Sequence, residues 1–269
     1  MSSDADDDYG LLSQTSGIEE TRDPKLQRHL PISAAFGWLG AAWRDMIASP
    51  GPSLAYGLLV SIISAVFVWM MITLRWDYLL FPALAGFMIV GPILAIGLYE
   101  VSRAREEGRR VSLADTLAFR PYSVAQVFFA GLLLCLLLLL WMRAAVLIYA
   151  LFFGYRHFPG LEHLPELLLG TPLGWGMIVT GSFVGALFAA FAFATSVFSI
   201  PMLVKERSDI LTAAGTSISM VWNNLPVMIA WGAIVLALFM VSVLTAFIGL
   251  IIVFPLLGYG TWHAYRSIR

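Results

Sequence analysis

The sequence predicts an all-α membrane protein with six transmembrane helices arranged in three repeated units, each an amphipathic helix plus a helical hairpin. Three observations predict it. Of 269 residues, 59% are hydrophobic and only 12% are charged, a charged fraction about half that of a soluble domain. Runs of 20 or more apolar residues alternate with short charged connectors. A pattern of proline, glycine and arginine recurs near the ends of those runs. A soluble chain of this size would need a polar shell that this composition cannot supply, so lipid must form the outer layer.

Residues 1–31 open with Asp4, Asp6, Asp7 and Asp8 and carry little apolar surface. A disordered cytoplasmic tail is expected there, followed by a membrane domain over 32–269. From Ile32 to Ser49, Ala35, Phe36, Leu39, Ala42, Trp43, Met46 and Ile47 recur at helical spacing, with Arg44 and Asp45 on the other face. This predicts an amphipathic helix, closed by Pro50-Gly51-Pro52.

A spanning helix needs about 20 predominantly apolar residues to cross about 30 Å of hydrocarbon. Ser53–Leu74, Leu79–Val101, Val124–Phe153 and Trp175–Val204 qualify. The uncharged run Val227–Tyr265 is too long for one helix and suits two, joined near Thr245–Gly249. Arg75-Trp76-Asp77-Tyr78 reads as an interfacial turn. Tyr155–Pro172 is the longest expected loop between spans. Ser112-Leu-Ala-Asp115 fits a capping box opening a second amphipathic helix, which Pro121 closes. A third has Leu211, Ala214, Ile218, Val221 and Trp222 along one face and stops at Pro226.

Phe87-Met-Ile-Val-Gly-Pro92-Ile-Leu-Ala-Ile-Gly97-Leu-Tyr-Glu100-Val-Ser-Arg103 aligns without a gap on Leu250-Ile-Ile-Val-Phe-Pro255-Leu-Leu-Gly-Tyr-Gly260-Thr-Trp-His263-Ala-Tyr-Arg266. A looser copy, Ser199-Ile-Pro201-Met-Leu-Val-Lys205, again sets a proline near the end of a span and a cation after it. The units are expected at about 32–104, 111–206 and 207–269.

In this arrangement most cations fall on one side, among them Arg44, Arg103, Arg105, Arg109, Arg110, Lys205, Arg207, Arg266 and Arg269. Arg75 and Arg156 fall on the other. The positive-inside bias therefore places both termini in the cytoplasm and the protein in the cytoplasmic (inner) membrane. A formal net charge of −1 argues against nucleic acid as a partner. The single cysteine, Cys135, can form no intramolecular disulfide. The opening residues show no cleavable leader pattern, so insertion is expected to rely on the first spanning segment.

Arg143 is the sharpest candidate, because an arginine near the membrane midplane costs about 2.5–3.5 kcal/mol on insertion scales. Either it faces the bundle interior and pairs with an acid such as Asp77 or an anionic headgroup, or it snorkels outward. Glu100 and His263 occupy equivalent positions in the two copies; either they form a polar pair at the cytoplasmic ends of two spans, or each is an interfacial polar group satisfied locally. Gly181 and Gly185, with Ala189, form a ridge of small residues beside a second ridge of Ser182, Ala186, Ala190 and Ala194. Such ridges serve close packing within the chain or homo-oligomerisation. Tryptophans at 43, 69, 76, 141, 175 and 222 read as interfacial and packing residues.

Together the Trp43-Arg44-Asp45 helix, Ser53-Leu-Ala-Tyr-Gly57, Gly91-Pro92-Ile-Leu-Ala-Ile-Gly97-Leu-Tyr-Glu100, Trp141-Met-Arg143 and the ending Pro255 to Arg266 resemble an uncharacterised family of bacterial inner-membrane proteins. The family is known as a domain of unknown function, and some members carry the label of cytochrome c oxidase subunits. The resemblance covers roughly 35–266 and implies a fold and a location, without site residues. Haem or copper ligation would need several intramembrane histidines, yet His29, His157 and His163 lie outside the spans. No catalytic or metal-binding constellation emerges, and no cofactor is expected. The leading expectation is a non-enzymatic accessory, assembly or lipid-associated factor that meets anionic lipid headgroups, or a membrane-protein partner, at its cytoplasmic face. The alternative is a small transporter or channel, because repeated hairpins with interrupted spans often build midplane sites.

Overall fold

The computed structural model describes residues 26, 28–76, 79–109, 112, 114, 116, 124–154 and 161–269, and among these the ordered elements are all helical. α1 (Ala34–Ala48) is followed directly by α2 (Pro50–Thr73). The two prolines sit in the first turn of α2, where their missing N–H groups cost no ladder bond, so they start this helix as well as ending α1. α3 (Leu80–Leu94) and α4 (Ile96–Glu106) are one hydrophobic stretch broken at Ala95, three residues after Pro92. α5 (Val124–Phe153) is the longest helix described.

The loop expected over 155–172 carries structure where it is described: a 3₁₀ turn at Leu161–His163 and a short α6 (Leu164–Leu169). Thr171 then caps α7 (Pro172–Ser196) by accepting from the Gly174 amide at 2.9 Å. α8 (Ser199–Lys205) continues α7 after a break at Val197–Phe198, with Pro201 in its first turn. Asp209 caps the amphipathic α9 (Ile210–Asn223) in the same way. α10 (Leu225–Leu244) and α11 (Leu250–Ile268) divide the final uncharged run. The joint lies where the sequence places it, turned by left-handed conformations at Ala246 and Phe247.

Among the described residues five helical segments are long and apolar enough to cross a membrane: Pro50–Thr73, Pro82–Glu106, Val124–Phe153, Pro172–Lys205 and Leu225–Leu244. Their outer faces carry exposed Leu, Ile, Val and Phe, as on α2 (Ile62, Val66) and α5 (Leu136, Leu147). That is the surface a protein shows to hydrocarbon and cannot show to water. The sixth expected span, α11, is a helix, but it ends in polar and charged residues and does not join those five.

α11 is instead the axle of the bundle. Thirteen of its 19 residues are buried, and it packs on α1, α2, α4 and α10. The contact with α2 is close because Ser53, Gly57, Val60, Ser61 and Ser64 line the buried face of α2 at helical spacing. A Cβ at Gly57 would strike the Ile251 carbonyl and Cα. Ser61 donates its hydroxyl to the Phe247 carbonyl at 2.8 Å, satisfying a group left over by the α10–α11 turn. Small residues matter here because lipid tails compete for apolar contact, leaving van der Waals fit and hydrogen bonds to drive helix association.

Part of the N-terminal tail is also built in. The His29 amide donates to the Asn223 carbonyl at 3.2 Å and the Leu30 amide to Asn224 Oδ1 at 3.1 Å. Leu26 and Leu30 pack against the core. The disorder expected over 1–31 therefore fails for 28–31, because the polar end of the α9–α10 junction offers acceptors; residues 1–25 and 27 lie outside the described set. The proposed second amphipathic helix lies mostly outside it too.

Replacing Gly57 by alanine should lower the detergent-solubilised protein's stability by about 1–3 kcal/mol, the usual cost of overpacking. Gly232, which has nothing within 4 Å of an added Cβ, is the control and should tolerate alanine. Thermal unfolding of the two variants checks this; equal melting temperatures would deny the close α2–α11 contact.

Candidate functional site

The charged ends of α1, α4, α8 and α11 converge, and α11 ties them together one residue at a time. The Tyr259 hydroxyl meets Ser53 Oγ of α2 at 2.7 Å. Trp262 Nε1 donates to Glu106 Oε1 at 3.1 Å, and Arg266 Nε donates to the other oxygen of that carboxylate at 3.1 Å. Tyr265 donates to Glu206 at 2.9 Å, and Arg269 Nη2 pairs with the same carboxylate at 2.6 Å. His263 Nε2 lies 2.9 Å from Asp45 Oδ2.

Asp45 is the centre of the cluster and is 8% exposed. Besides His263, Ser102 Oγ donates to Oδ2 at 2.6 Å and Arg105 Nη1 to Oδ1 at 2.7 Å. Burial pushes its carboxyl pKa up. The hydrogen bonds from His263 and Ser102, and the charges of His263 and Arg105, outweigh that and hold it below the ordinary value of 3.8. Asp45 therefore lies on the buried face of α1 and not on the polar face assigned to it from its neighbour Arg44. Trp38, Ala42, Asp45 and Met46 follow one helical stripe, all buried, and that spacing is the signal that could have found it.

Glu100 and His263 do not pair with each other. Glu100 accepts from Arg103 Nε at 2.6 Å and Arg109 Nη2 at 3.1 Å. His263 turns to Asp45. Each is satisfied nearer at hand, Glu100 within its own helix and His263 by α1. Arg103, Arg105 and Arg109 are thus neutralised within the protein, whereas Arg44 and Arg207 are exposed and have no ion pair among the described residues. No group of three or more metal-ligating side chains occurs among the described residues.

Arg143 is exposed on the outside of α5, about 15 Å before the helix ends at 1.5 Å per residue. Its proposed partner Asp77 lies outside the described residues. Pro201 and Pro255 are buried, and Pro255 leaves α11 continuous where Pro92 precedes a break. Gly185 receives the Trp141 ring 3.1 Å from its Cβ position, while Gly181 has nothing within 4 Å. Gly185 thus serves packing within the chain. Ser182, Ala186 and Ala190 face outward.

Between α3, α7, α10 and α11, with Trp141 reaching in from α5, lies a half-enclosed cavity of about 170 Å³. Pro92 and Gly185 line it. Its deep end is apolar: Phe87 stacks on Phe239 at 5.5 Å and meets Phe254 edge-on at 6.2 Å. Tyr99, Ser196, Trp231 and Thr261 line the end nearer the charged network. Two of the lining side chains, Trp141 and Trp231, carry buried indole N–H groups without a hydrogen-bond partner. Trp141 lies 5.6 Å from Phe188, whose ring face is a weak acceptor. Sequence reading missed this cavity.

Residues 80–205 match the model of a family described as "Predicted integral membrane protein (DUF2189)". The matched region holds Pro92, Glu100, Arg143, Gly181, Gly185 and Pro201, and leaves Asp45, Pro255 and His263 outside. No curated protein and no solved structure matches the chain.

The Asp45 carboxylate contributes stability that is fully present above its ordinary pKa of 3.8 and is lost as pH falls through its lower folded value. Asp45→Asn should cost about 1–3 kcal/mol at neutral pH. It should also shrink the loss of melting temperature between pH 5 and pH 3, measured in detergent; an unchanged acid limb would remove Asp45 from the network.

Proposed function

We propose that this chain, an integral membrane protein with a DUF2189 region, is a non-enzymatic, lipid-associated accessory or assembly factor of the cytoplasmic membrane. The observation that carries this reading is the outward apolar face of the two described amphipathic helices, α1 and α9, at the charged end. On α1 that face holds Phe36, Trp43 and Ile47, which are 63%, 47% and 61% exposed. On α9 it holds Leu211, Ile218 and Trp222, exposed by 75%, 40% and 74%. The bundle-facing sides of the same helices are filled by other residues, Ala35, Trp38 and Ala42 on α1 and Ala213, Ser217 and Met220 on α9.

A helix with one packed face and one exposed aromatic face beside free cations suits the headgroup–acyl boundary. Arg44 and Arg207 supply the cations for anionic headgroups. In this reading the chain crosses six times, with both termini inside. α11, at 19 residues, is about 28 Å long, slightly short of the about 30 Å of hydrocarbon. Its neighbours sheathe it, so it can carry polar groups that a lipid-facing span cannot. Tyr99 and Trp262, equivalent positions in the gap-free pair of copies, stack at 6.3 Å; the three-unit division itself rests on the sequence pattern. The apolar lining of the cavity and the outward Arg143 favour lipid association over a route for ions or polar solutes.

Spin labels at F36C and L211C, in a C135S background reconstituted in bilayers containing anionic lipid, test the central geometry. Both labels should be reached better by membrane-dissolved oxygen than by a water-soluble relaxant. Labels reached only from water would contradict the reading.

A further inference from the structure

Two hydroxyl groups at one end of the cavity are unanswered. Tyr99 and Thr261 line it and are only 1% and 9% exposed. Neither hydroxyl has a hydrogen-bond partner among the described residues. Thr195 and Thr245 return their hydroxyls to the carbonyls four residues back, at 2.8 and 2.9 Å, the usual habit of a helical threonine. Thr261 makes no such bond. The indole nitrogens of Trp141 and Trp231 are partnerless too, but they are sealed. The two hydroxyls are not sealed, and the open space beside side chains packed this deeply is the cavity that they line.

The register of two parallel helices sets both hydroxyls at one level. α4 and α11 both run toward the charged end. An added Cβ on Gly258 would lie 3.6 Å from the Ala95 Cβ, and one turn further along each helix Tyr99 stacks on Trp262 at 6.3 Å. Thr261, next to Trp262, therefore stands level with Tyr99.

A buried hydroxyl left unmet costs about 1–3 kcal/mol. Water is a partial remedy: it needs two to four polar partners, which this end offers and the walls at Phe87, Phe188 and Phe239 do not, and apolar cavities stay dry. The complementary occupant is apolar over most of its surface and carries one hydrogen-bonding oxygen. The walls favour a flat ring, since Phe87 and Phe239 are within 12° of parallel and Phe254 meets Phe87 edge-on. The volume of about 170 Å³ is close to that of a ~150 Å³ cavity that takes one benzene ring.

We infer that the cavity is a binding site for a small aromatic molecule of the phenol class, its ring among Phe87, Phe188 and Phe239 and its oxygen hydrogen-bonded to Tyr99 and Thr261. A mostly apolar pocket with a few convergent polar groups is the common form of a small-molecule site. None of these residues belongs to the outward faces of α1 and α9, so this inference and the membrane-surface reading fail independently.

The test uses the full-length protein in nanodiscs and two photoreactive probes, a phenol bearing a trifluoromethyl-diazirine in the meta position and the same ring without the hydroxyl. Adducts are mapped by mass spectrometry and normalised to those on exposed residues such as Leu139 and Phe183, which removes differences in partitioning. The phenol should label cavity residues such as Met88, Phe188 and Phe239 and be displaced by unlabelled phenol. Tyr99→Phe keeps the ring that stacks on Trp262, and Thr261→Val keeps the side-chain shape, so either serves if the other does not fold. Each should lower the phenol's cavity yield roughly three- to tenfold, the worth of one hydrogen bond, and leave the hydroxyl-free ring unchanged. Ala192→Leu, which narrows the cavity, should abolish the cavity adducts of both probes. Adducts confined to the exposed residues, equal cavity yields from the two probes, or a phenol yield untouched by both hydroxyl removals would each overturn the inference.

Discussion

The polar end of α11 is the interaction on which the rest of the bundle depends. In water, apolar faces would bring these helices together unaided. In a bilayer the tails are as apolar as the side chains, and association must come from fit and from polar ties. α11 supplies both along its length. Toward Leu250 its backbone meets the small-residue face of α2 at Gly57. Toward Ile268, Tyr259, Trp262, His263, Tyr265 and Arg269 reach partners in or next to α2, α4, α1 and α8.

This explains how a helix with charged residues can occupy the centre of a membrane protein. Its aromatic residues fill space against α4 and α10, while its carboxylate-seeking groups lie toward its C-terminal end, in the charged network. Asp45 and Glu106 each accept from two or more donors, so removal of one donor leaves a carboxylate partly paired. The same economy of polar groups makes the Trp231 indole conspicuous. Its donor is buried and has no hydrogen-bond partner among the described residues.

Much of the fold was legible in the sequence because lipid imposes a simple rule: long uncharged runs are spans, and charges and proline mark their ends. The runs at Val124–Phe153 and the division of 227–265 follow from that rule alone. Side-chain partnership is not local in the same way. Asp45 meets His263 across 218 residues, and its neighbour Arg44 disguised it as a surface residue. Glu100 and His263 hold equivalent positions, but a repeat says which positions are equivalent and not which ones touch. The cavity was invisible because it is made of volume left unfilled by Phe87, Trp141 and Phe239, and no pattern of residues records an absence of packing.

The claim that the end of α11 ties the bundle is a claim of coupling between Asp45 and His263. A double-mutant cycle with Asp45→Asn and His263→Gln, read as unfolding free energy in detergent, measures it most directly. The account predicts that the double variant loses less than the sum of the single losses, with a coupling of about 1–2 kcal/mol. Losses that add to within about 0.3–0.5 kcal/mol, the scatter expected of independent sites, would contradict it.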